Sequence, residues 1–333
     1  MDPIILPRIS DQKPLVSVIT ATYNHERYIR DCLEGFLMQK TNFPVEVIIH
    51  DDASTDHTID IIREYYEKRP DLFHVIIERE NQYSKKKQMN VSKSLYELAQ
   101  GKYIALCEGD DYWTDPLKLQ KQFDFMESNP EYAGCFHNYY KRIGSQIKNN
   151  PSPYKENINV SIKMAIVDGV GQSFRVVTIF FLKEAIHEFS KFRERCSVGD
   201  YPLKLCVAMH GNWYYMNETM SVYRLYAQGS WTKNNCNNQH AIKHCNSMIA
   251  WFDSLAAMYP SLKEEFYQAK GQSQLGLYMI ENRRREVFAN KYCRKALFSG
   301  SFVFVSRKLM WLLCPPLYYI LLQAREFVLK KLT

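Results

Sequence analysis

Several things this chain does without narrow what it can be. Its nine cysteines are an odd number with no CxxC pair among them, which argues against a disulfide or zinc framework and for reduced thiols in a cytosolic setting. Met1-Asp2-Pro3 opens acidic, with no charged n-region leading into an apolar core, so no secretory signal is expected there. No run of ~20 uninterrupted apolar residues occurs. The nearest approach, Phe302 to Leu322, is broken by Ser306-Arg307-Lys308 and by Pro315-Pro316. A GxxxxGK[ST] loop is also missing, which speaks against a nucleotidyl or phosphoryl transferase built on such a motif.

What is present suits a protein with a core. The 333 residues are 46% hydrophobic and 24% charged, enough for two ordinary domains or one large domain with appendages. Aromatics reach 14%, which fits sugar-handling or interfacial surfaces and fits core packing equally well. Charge is uneven. Of the net +7, the stretch from Arg283 to Thr333 carries +9, leaving −2 for everything before it.

Taken in order, Leu15 to Ala21 is an apolar, β-branched run that reads as a buried strand ending in Thr22-Tyr23-Asn24-His25. A helix over about 26–39 follows, with Tyr28, Ile29, Cys32, Leu33 and Phe36 at helical spacing. Val45 to His50 is a second strand, closing on Asp51-Asp52-Ala53-Ser54-Thr55-Asp56 before a helix over about 58–68. Phe73 to Ile77 reads as a third strand, 91–100 as a helix, and Tyr103 to Leu106 as a fourth strand. That strand runs into Cys107-Glu108-Gly109-Asp110-Asp111-Tyr112-Trp113, and Asp115-Pro116 then opens a helix to about Ser128. Strands alternating with helices imply βαβ units and a mostly parallel sheet, in which ligands sit beyond the carboxyl ends of the strands.

Three polar clusters fall at such ends: Thr22-Tyr23-Asn24, Asp51-Asp52, and Glu108-Gly109-Asp110-Asp111. Carboxylates this close repel unless a cation or a hydrogen-bond network holds them. Alone, the acidic turn reads either as a site for a hard divalent ion or as a set of caps. The convergence of three clusters favours metal and phosphate.

These motifs, with Pro14-Leu15-Val16-Ser17-Val18-Ile19 and Gly101-Lys102-Tyr103-Ile104 ahead of the strand ends, resemble the family-2 glycosyltransferases of GT-A fold. The likeness is close over about 14–140 and looser to about 232. It implies a GT-A-like, mostly parallel sheet flanked by helices, and an inverting transferase of the bacterial polysaccharide type. The implied donor is a nucleoside-diphosphate sugar, by family default a UDP-sugar, with Mg²⁺ or Mn²⁺ as cofactor. By position, Tyr23 and Asn24 would lie at the donor, Tyr23 stacking on the base and Asp52 accepting a hydrogen bond from it. Glu108-Gly109-Asp110 would stand for the family's acid-x-acid motif, with Asp110 on the metal and Glu108 toward the ribose. Glu in the first place departs from the usual Asp.

The remaining chain supplies the acceptor side. Tyr132 to Ile143 reads as a strand in which His137 is a sheet residue rather than a catalyst, 144–159 as a polar loop, and Val176 to Leu182 as a further strand with a helix to about 192. In Val198-Gly199-Asp200-Tyr201-Pro202, Asp200 caps a helix running to about His210, and on the residues alone that is its whole role. The resemblance implies more: Asp200 falls where the family places its general base. Met220 to Trp231 resembles the family's closing segment, with Tyr226 where a His is usual, and no metal role carries over to a phenol. Arg224 reads either as a phosphate partner or as a salt-bridge residue, and Lys85-Lys86-Lys87 as a solvated loop.

The expected division is a transferase domain over 1–232, with a nucleotide-sugar half at 14–140 and an acceptor half at 141–232, followed by a helical, basic region at 233–333. Expected partners are the donor and a glycan or lipid-linked saccharide acceptor, with no nucleic acid. The basic, aromatic C-terminal stretch reads as a helix lying on an anionic membrane surface or as a packed helix pair, the first slightly favoured. That places the protein in the cytoplasm, peripheral at the inner face of the plasma membrane.

Overall fold

A computed structural model describes residues 2–85, 88–150, 154–169, 175–194, 196–227, 238–298, 302–315 and 318. Eleven strands among them form one sheet: β1 (Ile4–Leu6), β2 (Val16–Thr22), β3 (Val45–Asp51), β4 (Phe73–Ile77), β5 (Tyr103–Leu106), β6 (Tyr112–Trp113), β7 (Tyr132–Ile143), β8 (Gln146–Asn149), β9 (Ile158–Val160), β10 (Phe180–Leu182) and β11 (Asn212–Arg224). Their order is β1-β4-β3-β2-β5-β10-β7-β11-β6, with β8 on β7 and β9 on β11. The run β4-β3-β2-β5 is parallel, as is β7 beside β11; β10 is antiparallel to both neighbours and joins the two halves.

Alternation along the strands explains the two layers. On β2, β3 and β5, residues Val16, Val18, Val47, Ile49, Tyr103 and Ala105 belong to one core, while Ile19, Ile48, Ile104 and Leu106 belong to the other. Period-two side chains on strands covered on both faces require this. The first core takes Ile29, Cys32, Leu33 and Phe36 from α1 (Ile29–Leu37) and Ile62 and Tyr65 from α2 (Thr58–Lys68). The second takes residues from α3 (Gln88–Leu98), α5 (Ile162–Gly169), α6 (Phe189–Arg193) and α7 (Asp200–His210). Met248, Trp251, Phe252 and Leu255 of α8 (Asn238–Met258) and Phe266 and Ala269 of α9 (Lys263–Ile280) share that second core. A smaller core of Leu275, Val287, Cys293, Ala296, Leu297 and Trp311 joins α9 to α10 (Arg284–Ala289), α11 (Lys291–Leu297) and α12 (Phe302–Leu313).

Local differences from the sequence reading have physical causes. The helix after the acidic turn, α4 (Lys118–Ser128), starts beyond Pro116, because Asp115 caps early by accepting from Leu117 N at 2.8 Å. The strand expected over 176–182 begins as a 3₁₀ turn, Val176–Thr178, whose Val177 carbonyl accepts from buried Trp113 Nε1 at 3.1 Å. The expected loop at 144–159 contains the exposed edge strand β8, entered through Gly144 at φ 56, and β9. Its polar composition belongs to an edge strand facing water. Of the apolar stretch 302–322, α12 is helical, and residues 316, 317 and 319–322 lie outside the described residues. Among the described residues, no helix is long and apolar enough to cross a membrane.

Candidate active site

The ends of β2, β3 and β5 meet as the parallel register dictates. Asp52 N donates to Thr22 O at 3.0 Å, and Gly109 N donates to Ala21 O at 3.0 Å. Ser54 ties two of the loops together: its Oγ donates to Asp51 Oδ2 at 2.5 Å and accepts from Asn24 N at 2.9 Å. Asn24 Oδ1 accepts from Thr55 N at 2.8 Å. Asn24 and Ala53 both take left-handed backbone, φ 54 and 63; such conformations persist where surrounding bonds over-determine them. Tyr23 leaves its ring 40% exposed at this rim. Asp52 accepts backbone N–H from Gln82 at 2.6 Å and from Tyr83 at 3.0 Å, so it pins the 80s loop against the strand ends as well as lining the rim.

Gly109 sits where no side chain fits. A Cβ there would lie 2.8 Å from Thr22 Cβ and Oγ1 and 2.9 Å from His25 Nδ1. His25 Nδ1 is buried without a hydrogen-bond partner among the described residues. Burial lowers the His25 pKa, against the pull of Asp110 and Asp56. Sequence reasoning passed over this histidine, which its place directly after Asn24 could have flagged.

Carboxylate oxygens of Glu108, Asp110 and Asp111 all lie within 4.8 Å of one another. The three are not equivalent. Asp111 is buried, and its Oδ1 accepts from Arg224 N at 2.8 Å, which makes it a structural acid beneath the loop. Burial and the charge of Asp110 push its pKa well up. Glu108 is the exposed member of the three; desolvation by the protein around it, with Asp110 and Asp200, raises its pKa to about 8, while Arg175 and Lys204 oppose the rise. Hard oxygen donors this close fit Mg²⁺ or Mn²⁺, with Asp110 and Glu108 the two that are free to ligate.

Arg224 resolves between its two readings. Its guanidinium bonds Asp110 O at 2.6 Å and Asp31, and lies over the rings of Tyr112 and Tyr28 at 4.5 and 5.2 Å. It is a clamp on the acidic loop, with its charge met by Asp31.

Asp200 opens α7, preceded by Gly199 at the cap. Lys204, one turn on and almost fully buried, places Nζ 2.9 Å from Asp200 Oδ2. Desolvation would raise the Asp200 pKa, but Lys204 and then Arg175 outweigh it and hold the carboxyl below its usual range. A carboxylate kept ionised, with its second oxygen not taken by Lys204, is equipped to accept a proton. Sequence reasoning also missed Lys204; the i, i+4 spacing from Asp200 was the available signal. Arg175 donates to Tyr139 Oη at 3.4 Å, lies 4.5 Å over the Tyr223 ring, and is felt by both Glu108 and Asp200. His137 is a buried sheet residue whose Nδ1 lies 2.6 Å from Asn138 O.

The family model for glycosyl transferase family 2 matches residues 17–188 of this chain, more than half of its length. The chain belongs to glycosyl transferase family 2. An uncharacterized Mycobacterium tuberculosis protein, Rv1520, is 35% identical over 224 residues, 65% of this chain and 60% of its own length. The putative teichuronic acid biosynthesis glycosyltransferase TuaG of Bacillus subtilis is 42% identical over 118 residues, 35% of this chain and 44% of its own. This chain thus spans about 60% of the mycobacterial relative and less of TuaG. Among solved structures, S. aureus TarS with UDP-GlcNAc aligns at TM-score 0.58 and 16% identity over 95% of this chain and 88% of that one. The Pyrobaculum calidifontis mannosyltransferase PcManGT with GDP-Man and Mn²⁺ aligns at 0.56 and 16% over 97% and 89%. At those identities the likeness is one of fold, the GT-A-like fold that the motifs implied.

Proposed function

We propose that this chain is an inverting glycosyltransferase that moves a sugar from a nucleoside-diphosphate donor to a hydroxyl of a glycan or lipid-linked saccharide. The observation that carries the reading is that Glu108 lies within electrostatic reach of both Asp110 and Asp200, residues far apart in sequence. Tyr23, Asn24 and Asp52 line the rim where the nucleoside would lie. Asp110 and Glu108 would hold a divalent ion, which when bound offsets the charge growing on the departing diphosphate. Arg224 keeps the acidic loop in place by gripping its backbone. Asp200 takes the proton of the acceptor hydroxyl as it attacks the anomeric carbon, with Lys204 fixing one oxygen so that the other can meet the hydroxyl.

The relatives point the same way. The E. coli protein WfaP, 37% identical over 126 residues, is named as a UDP-Glc:alpha-D-GlcNAc-diphosphoundecaprenol beta-1,3-glucosyltransferase. UDP-GlcNAc in TarS and GDP-Man with Mn²⁺ in PcManGT support a nucleotide sugar and a divalent metal here.

For location, Phe288 on α10, Phe298 just after α11 and Leu313 at the end of α12 are 57%, 66% and 74% exposed, and these helices carry Arg284 and Arg285, then Lys291, Arg294 and Lys295, then Arg307 and Lys308. Exposed apolar side chains among cations suit an anionic membrane surface, and we place the acceptor there. A panel of UDP- and GDP-sugars, each with Mn²⁺, tests the reading: one should raise the melting temperature and release nucleoside diphosphate. Release of nucleoside monophosphate, or neither effect with any donor, would contradict it.

A further inference from the structure

The C-terminal helices enclose a second concavity, away from Asp110 and Asp200. It is an open cleft of about 460 Å³ between α9 and the α10–α11 junction, within the ~300–1,000 Å³ of small-ligand sites. Tyr267, Lys270, Gln274 and Tyr278 form its floor at i, i+3, i+7 and i+11 of one helix, a single stripe. Gln272, across the same helix, donates to Val167 O of α5 at 2.9 Å, so that side is packed and the stripe side is open. Tyr292 makes the facing wall. It comes so near α9 that a Cβ on Gly271 would lie 2.6 Å from Tyr292 Cβ. Its ring centroid is 5.6 Å from that of Tyr267.

Most of the charge in the lining is paired. Lys270 pairs with Asp253 at 2.6 Å and Glu286 with Arg283 at 2.9 Å, while Lys291 shares Glu264, at 3.7 Å, with Lys295 at 3.5 Å. A phosphate or nucleotide needs an uncommitted cation, and among the described residues the lining has only the exposed, half-neutralised Lys291 to offer. What else it offers is neutral. Gln274 Oε1 accepts from Asn290 Nδ2 at 2.9 Å, while the Gln274 amide N–H₂ and the Tyr267 and Tyr278 hydroxyls have no hydrogen-bond partner among the described residues. Cations already lie over these rings, Lys270 over Tyr267 at 5.6 Å, Arg283 over Tyr278 at 5.0 Å and Lys291 over Tyr292 at 4.5 Å. The rings and hydroxyls together with the free Gln274 amide match a sugar, which has an apolar C–H face and a polar edge.

We infer that this cleft binds a neutral oligosaccharide, as a subsite for a segment of the acceptor remote from the reacting hydroxyl. The sugar chemistry rests on the cleft alone, and the link to the acceptor rests on the function proposed above. The helix carrying the stripe packs on α8 and α5, and α5 packs on α7, which carries Asp200. The cleft and Asp200 therefore belong to one continuous packing of helices. The subsite would favour long acceptors over short ones.

The test titrates the full chain with maltohexaose, cellohexaose, mannohexaose and chitohexaose by calorimetry, with and without UDP. At least one should bind saturably and should not be displaced by UDP. Tyr278→Ala and Gln274→Glu, which keeps the acceptor used by Asn290, should each weaken it about tenfold. Nucleoside diphosphate release from the donor in water should be unchanged in both variants. No binding by any hexasaccharide, undiminished binding by both variants, or displacement by UDP would overturn the inference. Failure of the catalytic reading would instead appear as absent diphosphate release, whatever the saccharides do.

Discussion

Replacing Asp200 by Asn removes one charge from the 2.9 Å pair with Lys204 and changes little else in shape. Lys204 is 3% exposed in its side chain and Asp200 is 43% exposed. Breaking a fully buried pair costs ~3–5 kcal/mol, and solvent at the carboxylate reduces that to about 2 kcal/mol here. Asp200→Asn should therefore lose on the order of several degrees of melting temperature and at least ~10²-fold in rate. Adding Lys204→Met removes the buried ammonium that has lost its carboxylate, so the double variant should regain part of the stability and none of the rate. Lys204→Met alone keeps the base but releases it from its main cation, with Arg175 left in place. Because the Asp200 pKa is lowered in the fold, the part of the wild-type pH profile set by Asp200 should fall only as pH drops through that low value. In Lys204→Met the fall should begin at higher pH. Differential scanning fluorimetry and nucleoside diphosphate release from a UDP- or GDP-sugar across pH read both effects. A double variant that recovers rate along with stability would refute Asp200 as base and leave it a cap.

Lys118 is fully buried, with Nζ 2.7 Å from Gln122 Oε1 and 4.1 Å over Trp113, and burial lowers its pKa to about 7. The unfolded chain keeps that proton up to ~10.4, so wild type should gain about 2 kcal/mol from pH 7 to 9 relative to Lys118→Met; parallel urea-unfolding curves would contradict this. Gly109→Ala forces apart the ends of β2 and β5 and should cost ~1–3 kcal/mol with weaker metal binding, whereas Gly199→Ala, with Arg193 Nε at an ordinary 3.6 Å, should be tolerated. Sedimentation with vesicles should show binding to phosphatidylglycerol and not to phosphatidylcholine, lost in Phe288→Ser/Phe298→Ser; equal binding to both lipids would remove the electrostatic part.

The parallel half of the sheet was legible because its signals are local: apolar runs of strand length, each closed by polar residues and followed by a helical stripe. Once those strands lie side by side, Asn24, Asp52 and Gly109 must share one edge. The edge strands β6, β8 and β9 were not legible, since two to four residues are too few to carry a hydrophobic pattern. Roles set by pairing across the sheet were hidden as well. That Arg224 grips the acidic loop, that Asp111 lies beneath it, and that Lys204 is buried against Asp200 all depend on β11 and α7 packing beside β7. The break at Val176–Thr178 is of the same kind, fixed by a Trp113 bond across 64 residues.

The central claim is that acids from separate parts of the chain form one site, with Asp110 serving the donor side and Asp200 the acceptor. Titration of the full chain with Mn²⁺ in the presence of UDP, and separately GDP, followed by the electron paramagnetic resonance of free Mn²⁺, tests this directly. We predict nucleotide-enhanced binding of Mn²⁺ that Asp110→Asn abolishes and Asp200→Asn keeps. Wild-type Mn²⁺ affinity in Asp110→Asn, or equal loss in both variants, would contradict it.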